Sequence, residues 1–313
     1  MLNHFDIIIG MRRVVLIHNP QSSHAIDVKK QVIAPVKQFA SSGEFLEYKI
    51  KPTSFNQNVR KITKILREQD RVVVAGGDGT ATIVANAILA TEHSNISLIV
   101  LGYGNFNDMS TGFGAKGRDV VDLLESPSTV KAYPLEVLVN NSHFRYSVCY
   151  FNLGLFAEVV RLFDKKEHRK ELQTGKKGVF FSWRILTSMY LKAKKTPHLP
   201  EYRLNGNVMN TTDYVAINNT VMAQILKSGK RFYLGKEFAH FTPNLSKFTS
   251  LISAAAPSLF GRMPCKTTTS DELVFEKPTD IASQSEGEYC KLKTVRKIKI
   301  VKSKKYLNVV TVD

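Results

Sequence analysis

Acidic residues, cysteine and long apolar runs are all scarce in this chain, and each shortage narrows what it can be. Cys149, Cys265 and Cys290 are the three cysteines among 313 residues, far apart and without metal-type spacing. That favours free thiols in a reducing compartment over a disulfide framework. No apolar run approaches the roughly 18 residues that argue for a membrane span. The opening MLNHFDIIIGM has too short an apolar core and no basic start to read as a secretory leader, and Met11 is an alternative start.

The shortage of acid is the strongest compositional signal. Asp and Glu number 27 against 44 Lys and Arg, a formal net charge of +17. Such an excess points to a polyanionic partner: nucleic acid, an anionic membrane surface or a phosphorylated substrate. The charge is uneven, with eleven Lys or Arg against four Asp or Glu over residues 151–200 and eight against one from Lys291 to Asp313. In KLKTVRKIKIVKSKKYLNVV charges alternate with apolar residues, as on a strand with one solvated face. A basic surface kept for solubility is the competing explanation.

The first half alternates strand and helix signals. RVVLIH (13–18), FLEYKIK (45–51), RVVVA (71–75) and ISLIVL (96–101) read as strands. Between them, IDVKKQVIAPVKQFA has helical spacing, with Pro35 expected to kink or break it. NQNVRKITKIL puts Val59, Ile62 and Leu66 on one helical face, and TATIVANAILA reads as a helix capped by Thr80 or Thr82. This order predicts a doubly wound parallel sheet, an α/β domain over residues 1–130. Ligands of such sheets sit beyond the carboxyl ends of the strands. Three polar loops converge there: Asn19 to Ser23, Gly76 to Thr80, and Gly102 to Asp108.

VVVAGGDGTAT (72–82) is the most informative stretch. Glycines let backbone N–H groups approach a phosphate without a Cβ in the way, and a helix N-terminus behind them adds partial positive charge. A tight turn with glycines kept for packing explains the glycines equally well, because short Gly patterns recur by chance. Asp78 tips the balance. A carboxylate inside a phosphate cradle repels the ligand unless it meets Mg²⁺, a ribose hydroxyl or a reacting proton.

Beyond about residue 130 the texture becomes β-rich. VKAYPLEVLVNNSHFRYSVCYFNLG reads as two strands joined at Asn-Asn, and YRLNGNVMNTTDYVAINN carries an Asn-Gly hairpin signal. DELVFEK, EYCKLKTV, KIKIV and LNVVTV are further strand candidates. The expectation is a second, β-sandwich-like domain over residues 131–313 that would carry the lipid or acceptor site, its last segments able to pack back on the first. Between the hairpins, Lys165, Lys166, Arg169, Lys170, Lys176 and Lys177 precede Phe180, Phe181 and Trp183. Basic residues beside aromatics suit docking on an anionic bilayer. Burial of those aromatics in the second domain is the competing reading.

These motifs together resemble the diacylglycerol kinase catalytic-domain family, which includes bacterial lipid kinases and sphingosine kinase-like enzymes. GGDGT (76–80) resembles its nucleotide loop, LIHNPQSS (16–23) its first strand and Asn-Pro-x-Ser-Gly turn, and GYGNFNDMS (102–110) its second loop. SEGEYC (285–290) resembles the late Asp-Gly-Glu, and FNLGLFAEVV (151–160) is similar to a segment opening the second domain. The resemblance runs from about Arg12 to the C-terminus.

The resemblance implies an ATP-dependent kinase in two lobes, using Mg²⁺, with a lipid hydroxyl such as that of diacylglycerol as acceptor. It carries nucleotide contacts to Asn19, Thr53, Gly76, Gly77, Asp78, Gly79, Thr80, Gly104 and Asn105. It offers Glu288, Glu286 and Asp78 as catalytic carboxylates, with Glu288 at the Glu of Asp-Gly-Glu, and it assigns no metal ligand. It further implies a protein at the inner face of the membrane, cytoplasmic and peripheral, with no specific nucleic acid; a homodimer stays open. This chain also departs from the family. Thr82 and Ile83 stand where Asn-Glu is usual, Glu286 replaces Asp, and HFTPNLSKF (240–248) lacks the family's Asp-Gly. An NAD kinase-like enzyme and a catalytically weak lipid- or nucleotide-binding relative are the alternative functions.

Overall fold

The computed structural model describes residues 13–22, 24–104, 107–163, 187, 191, 199–222, 226–227, 230–244 and 265–311. The chain divides into two compact units, Met1–Pro134 with Lys304–Asp313, and Leu135–Ser303.

The first unit is built on a six-stranded sheet. Its strands are β1 (Val14–His18), β2 (Phe45–Lys49), β3 (Arg71–Gly76), β4 (Ser97–Gly102) and β5 (Thr129–Ala132), with Leu307–Val310 from the C-terminus. The order is β2-β1-β3-β4, then Leu307–Val310, then β5. β1 to β4 run parallel, Leu307–Val310 joins β4 in parallel, and β5 closes the edge antiparallel. Val15, Leu16, Ile17, Val72, Val73, Val74, Leu98 and Ile99 are wholly buried. Central parallel strands are covered on both faces, so they read as unbroken apolar runs. Arg13 and Asp70 tie the amino ends of β1 and β3 by two hydrogen bonds, Nε to Oδ1 at 2.9 Å and a terminal nitrogen to Oδ2 at 2.7 Å.

Two local expectations change. Pro35 does not break its helix; a π-turn over Lys29–Ile33 lies between the helices Ala25–Val28 and Ala34–Phe39. Proline lacks the N–H an α-helix needs there, and a widened turn accommodates the loss. The helix after β3 starts at Asp78 with Gly77 as N-cap, so Thr80 and Thr82 lie inside it rather than capping it.

The second unit is dominated by an antiparallel ten-stranded sheet. β6 (Leu135–Val139) and β7 (Ser142–Ser147) form a hairpin through Asn140 and Asn141, both at positive φ, 49° and 66°. β8 (Tyr150–Gly154) follows and leads into the helix Leu155–Phe163. The late strand candidates fuse into two long strands, Ser270–Ser285 and Glu288–Lys302, whose pairing shifts register between Val274 and Ile281. Only LNVVTV leaves this sheet, as Leu307–Val310 of the first unit. The core gathers Phe151, Tyr202, Tyr214, Phe238, Leu273 and Ile298, among others.

Candidate active site

Within the first unit the switch point between β1 and β3 sets the site, because the chain leaves those neighbouring strands in opposite directions. Asn19, at the end of β1, donates its backbone N–H to Ala75 O at 3.3 Å, placing the first loop against the end of β3. The Asn19 side chain accepts the Gln21 N–H at 2.9 Å and so shapes its own turn. In that turn Ser22 Oγ is buried and has no hydrogen-bond partner among the described residues. Thr53 lies in an exposed turn after β2, its carbonyl 3.3 Å from Asn58 Nδ2.

Gly76 ends β3, and Asp78, Gly79 and Thr80 form the first turn of the helix Asp78–Ala90. The first intrahelical hydrogen bond runs from Ala81 N–H to Gly77 O at 3.1 Å. The N–H groups of that first turn therefore have no carbonyl of the helix to donate to. Gly77 and Gly104 meet back to back. A Cβ on Gly104 would fall 2.4 Å from Gly77 Cα, so only glycine lets the two loops touch.

Asp78 joins those loops. Its Oδ2 accepts the Asp108 N–H and its Oδ1 the Met109 N–H, each at 3.0 Å. It thus caps the short helix Asp108–Gly112 that follows the second loop. Asn107, in the left-handed region at φ 57°, completes the loop: Oδ1 accepts the Gly104 N–H at 2.7 Å and Nδ2 donates to Gly104 O at 2.9 Å. Metal, ribose and proton roles are therefore not the only uses of a carboxylate here, since capping a neighbouring helix is a fourth. Gly102 ends β4 and Gly104 and Asn107 follow it in the second loop, while Asn105 lies outside the described residues. Thr82 is buried and its Oγ1 donates to Asp78 O at 2.8 Å within the helix.

In the second unit Glu286 and Gly287 form the two-residue turn joining Ser285 to Glu288. Both have positive φ, 45° and 88°, as a type I′ turn requires. Glu286 is wholly buried. Its Oε1 accepts from Cys149 N–H at 2.7 Å and Tyr150 N–H at 3.2 Å and its Oε2 from Ser285 Oγ at 2.5 Å, while Ser147 Oγ, 2.7 Å from Oε1 and 2.6 Å from Tyr150 O, has one proton for those two acceptors. With two backbone amides and the Ser285 hydroxyl donating to one carboxylate, Glu286 locks the turn to the β7–β8 connection. Glu288 begins the next strand and is half-buried. Tyr289, on the opposite face, donates to Glu158 Oε1 at 2.9 Å and pins the hairpin to the helix Leu155–Phe163.

Two functional-looking residues escaped the sequence reading. Arg145 is buried on β7; burial pulls its guanidinium below the usual range while Cys290, Glu286 and Glu288 oppose that shift. Alternation along SHFRYS, which puts Arg145 on the face of Ser147, was the available signal. Asp213 is wholly buried and pushed up to about 7 by desolvation, although Thr212 and the N–H groups of Leu155 and Phe156 favour its charge. It caps the helix Leu155–Phe163 through Phe156 N–H at 2.5 Å. Lys165, Lys166, Arg169, Lys170, Lys176, Lys177, Phe180, Phe181 and Trp183 lie outside the described residues. Among the described residues no group of three or more His, Cys, Asp or Glu could hold a metal ion, and no helix is long and apolar enough to cross a membrane.

Residues 13–138 match the diacylglycerol kinase catalytic domain. The chain is 29% identical over 137 residues to the diacylglycerol kinase of Bacillus subtilis (strain 168), covering 43% of this chain and 44% of that one. It is 25% identical over 138 residues to a probable lipid kinase YegS-like from Shewanella frigidimarina (strain NCIMB 400), covering 43% of each. These alignments thus span less than half of either curated relative. The fold is similar to the crystal structure of a diacylglycerol kinase from Bacillus anthracis str. Sterne, with TM-score 0.68, 16% identity, and 97% of this chain and 98% of that chain covered.

Proposed function

We propose, proceeding from the match of residues 13–138 to the diacylglycerol kinase catalytic domain, that this chain is an ATP-dependent lipid kinase. Its acceptor would be the hydroxyl of diacylglycerol or a related lipid. The observation that carries the reading is the glycine contact between Gly77 and Gly104, tied across by Asp78. It leaves Cβ-free backbone at a helix N-terminus, where phosphate oxygens find N–H donors and partial positive charge. Gly76, Gly77, Gly79, Thr80 and Gly104 would hold the nucleotide phosphates, and Ser22 Oγ is a further donor in the adjoining loop.

Mg²⁺, held chiefly by nucleotide phosphates and water, would supply charge neutralisation. Glu288 suits the general base. It stands where the family's late Asp-Gly-Glu has its Glu, in SEGEYC (285–290), and it is half-buried. It would take the proton of the lipid hydroxyl as that oxygen bonds to the phosphorus and ADP leaves. Asp78 and Glu286 would act as positioning residues. The net charge of +17 supports a peripheral association with an anionic membrane at its inner face.

The test is transfer of label from γ-labelled ATP, with Mg²⁺, to a total lipid extract, followed by identification of the labelled lipid. A labelled lipid phosphate is expected. ATP binding without any labelled lipid would instead make the chain a non-catalytic relative.

A further inference from the structure

The strand Glu288–Lys302 ends on a lysine whose side chain turns inward. Lys299, Lys304 and Lys305 are exposed, whereas Lys302 is half-buried. Its Nζ donates to Asn218 Oδ1 at 2.5 Å and to Phe232 O at 3.0 Å. Burial pulls this amine down to about 7, yet charged or neutral it has N–H groups for both oxygens.

Asn218 is wholly buried just beyond the strand Asp213–Ile217. Its Nδ2 donates to Val148 O at 2.8 Å and its backbone N–H to Cys149 O at 2.7 Å. The Val148 carbonyl can only accept, so the amide nitrogen faces it and the amide oxygen faces Lys302. Removing a donor from a buried oxygen is costly, so Lys302 holds Asn218 in the orientation that the β7–β8 connection needs. That connection is also what holds Glu286, whose Oε1 takes the Cys149 N–H at 2.7 Å and the Tyr150 N–H at 3.2 Å. Its carbonyls at 148 and 149 thus go to Asn218 and its amides at 149 and 150 to Glu286. Contacts run unbroken from Lys302 through Asn218 and residues 148–150 to the turn after which Glu288 begins.

We infer that Lys302 and Asn218 are positioning residues for the acceptor-side hairpin. They fix the β7–β8 connection, whose amides fix Glu286, and so set where Glu288 leaves the turn. This rests on the reading of Glu288 as the base.

Hydrogen exchange and kinetics, read separately, test it. Lys302→Met keeps the length of the side chain and removes its donors. Asn218→Asp keeps an acceptor for Lys302 and removes the donor to Val148 O. In either variant, exchange of the Cys149 and Tyr150 amide protons, followed by NMR, is expected to quicken about tenfold more than at Leu273 and Ile298, a buried pair in the same sheet. Equal quickening at all these amides would mean a general loss of stability, and none would mean that the connection is held without Lys302 and Asn218. Either result overturns the inference. With diacylglycerol in mixed micelles and ATP–Mg²⁺, kcat is expected to fall about 100-fold, the scale of a catalytic group misplaced by about 1 Å. KM for ATP should stay within about twofold. Selective exchange with unchanged kcat, or KM for ATP rising in step with the fall in kcat, would also overturn it. A wild type that binds ATP but phosphorylates no lipid would sink the kinase reading alone, and the exchange comparison would still decide whether Lys302 and Asn218 hold the hairpin.

Discussion

The carboxylate of Asp78 reaches from the end of β3 to the backbone amide of Met109, 3.0 Å away, and takes the neighbouring Asp108 amide with its other oxygen. One side chain of the first glycine loop therefore sets the height and tilt of the second. Loop geometry and helix capping are the same interaction here.

Asp78→Asn keeps one acceptor oxygen and sets an NH₂ against the second amide. A charge-assisted hydrogen bond contributes about 1.5–3 kcal/mol, so the second loop should loosen. We expect nucleotide affinity and turnover to fall together, with the secondary structure unchanged by circular dichroism. Calorimetric titration with ATP analogues checks this. An unchanged affinity with lost turnover would return Asp78 to the chemistry.

Gly104→Ala should be far more damaging than Gly43→Ala. The new Cβ at 104 would lie 2.4 Å from Gly77 Cα, backbone that cannot step aside, whereas nothing lies within 4 Å of a Cβ at 43. Overpacking of this kind costs about 1–3 kcal/mol. Urea unfolding of the two variants, together with ATP binding, measures the difference. Equal behaviour would show that the loops can part freely.

The two hairpin glutamates should separate by phenotype. Glu288→Gln is expected to lower kcat by about 100-fold or more, as loss of a general base does, with little change in ATP affinity or Tm. Glu286→Gln and Glu286→Asp should both lower Tm. The first sets an NH₂ against N–H and O–H donors, and the second withdraws the carboxylate by about 1 Å, a shift large enough to cost about 100-fold in rate. Aspartate at position 286 is thus not expected to improve this protein. A Glu286→Asp variant with undiminished Tm would show that the β7–β8 connection can follow the shorter side chain.

Asp213 gives the pH dependence of stability a definite sign. Desolvation holds its folded-state value at about 7, above the unfolded carboxylate range. Between roughly pH 4 and pH 7 the folded state therefore binds the proton that the unfolded state has lost. Its stabilising contribution is full below about pH 4 and drains away as pH rises through 7. Asp213→Asn should flatten that decline. Tm measured from pH 4.5 to 8 in both proteins tests it, and identical slopes would remove Asp213 as the source.

Local pattern decided more of this molecule than its low acid content would suggest. Apolar runs at β1, β3 and β4 and the Gly-Asp-Gly-Thr loop are contiguous in sequence, and so are the Asn-Asn and Asn-Gly hairpins. The backbone conformations they demand, a buried parallel strand or a turn with positive φ, depend on a few neighbouring residues. Contacts made across distance were another matter. Met109 is 31 residues from Asp78 and Ser147 is 139 from Glu286. Asp213 caps a helix that begins 58 positions earlier, and Leu307–Val310 enters a sheet whose other strands end at Ala132. A carboxylate's role depends on which donors the fold brings to it, and those donors are mostly backbone amides, identical in every residue but proline. The sequence by itself therefore determined the strands, the turns and the glycine loop. Tertiary structure alone decided that Asp78 caps a helix, Glu286 anchors a turn and Glu288 is half-buried.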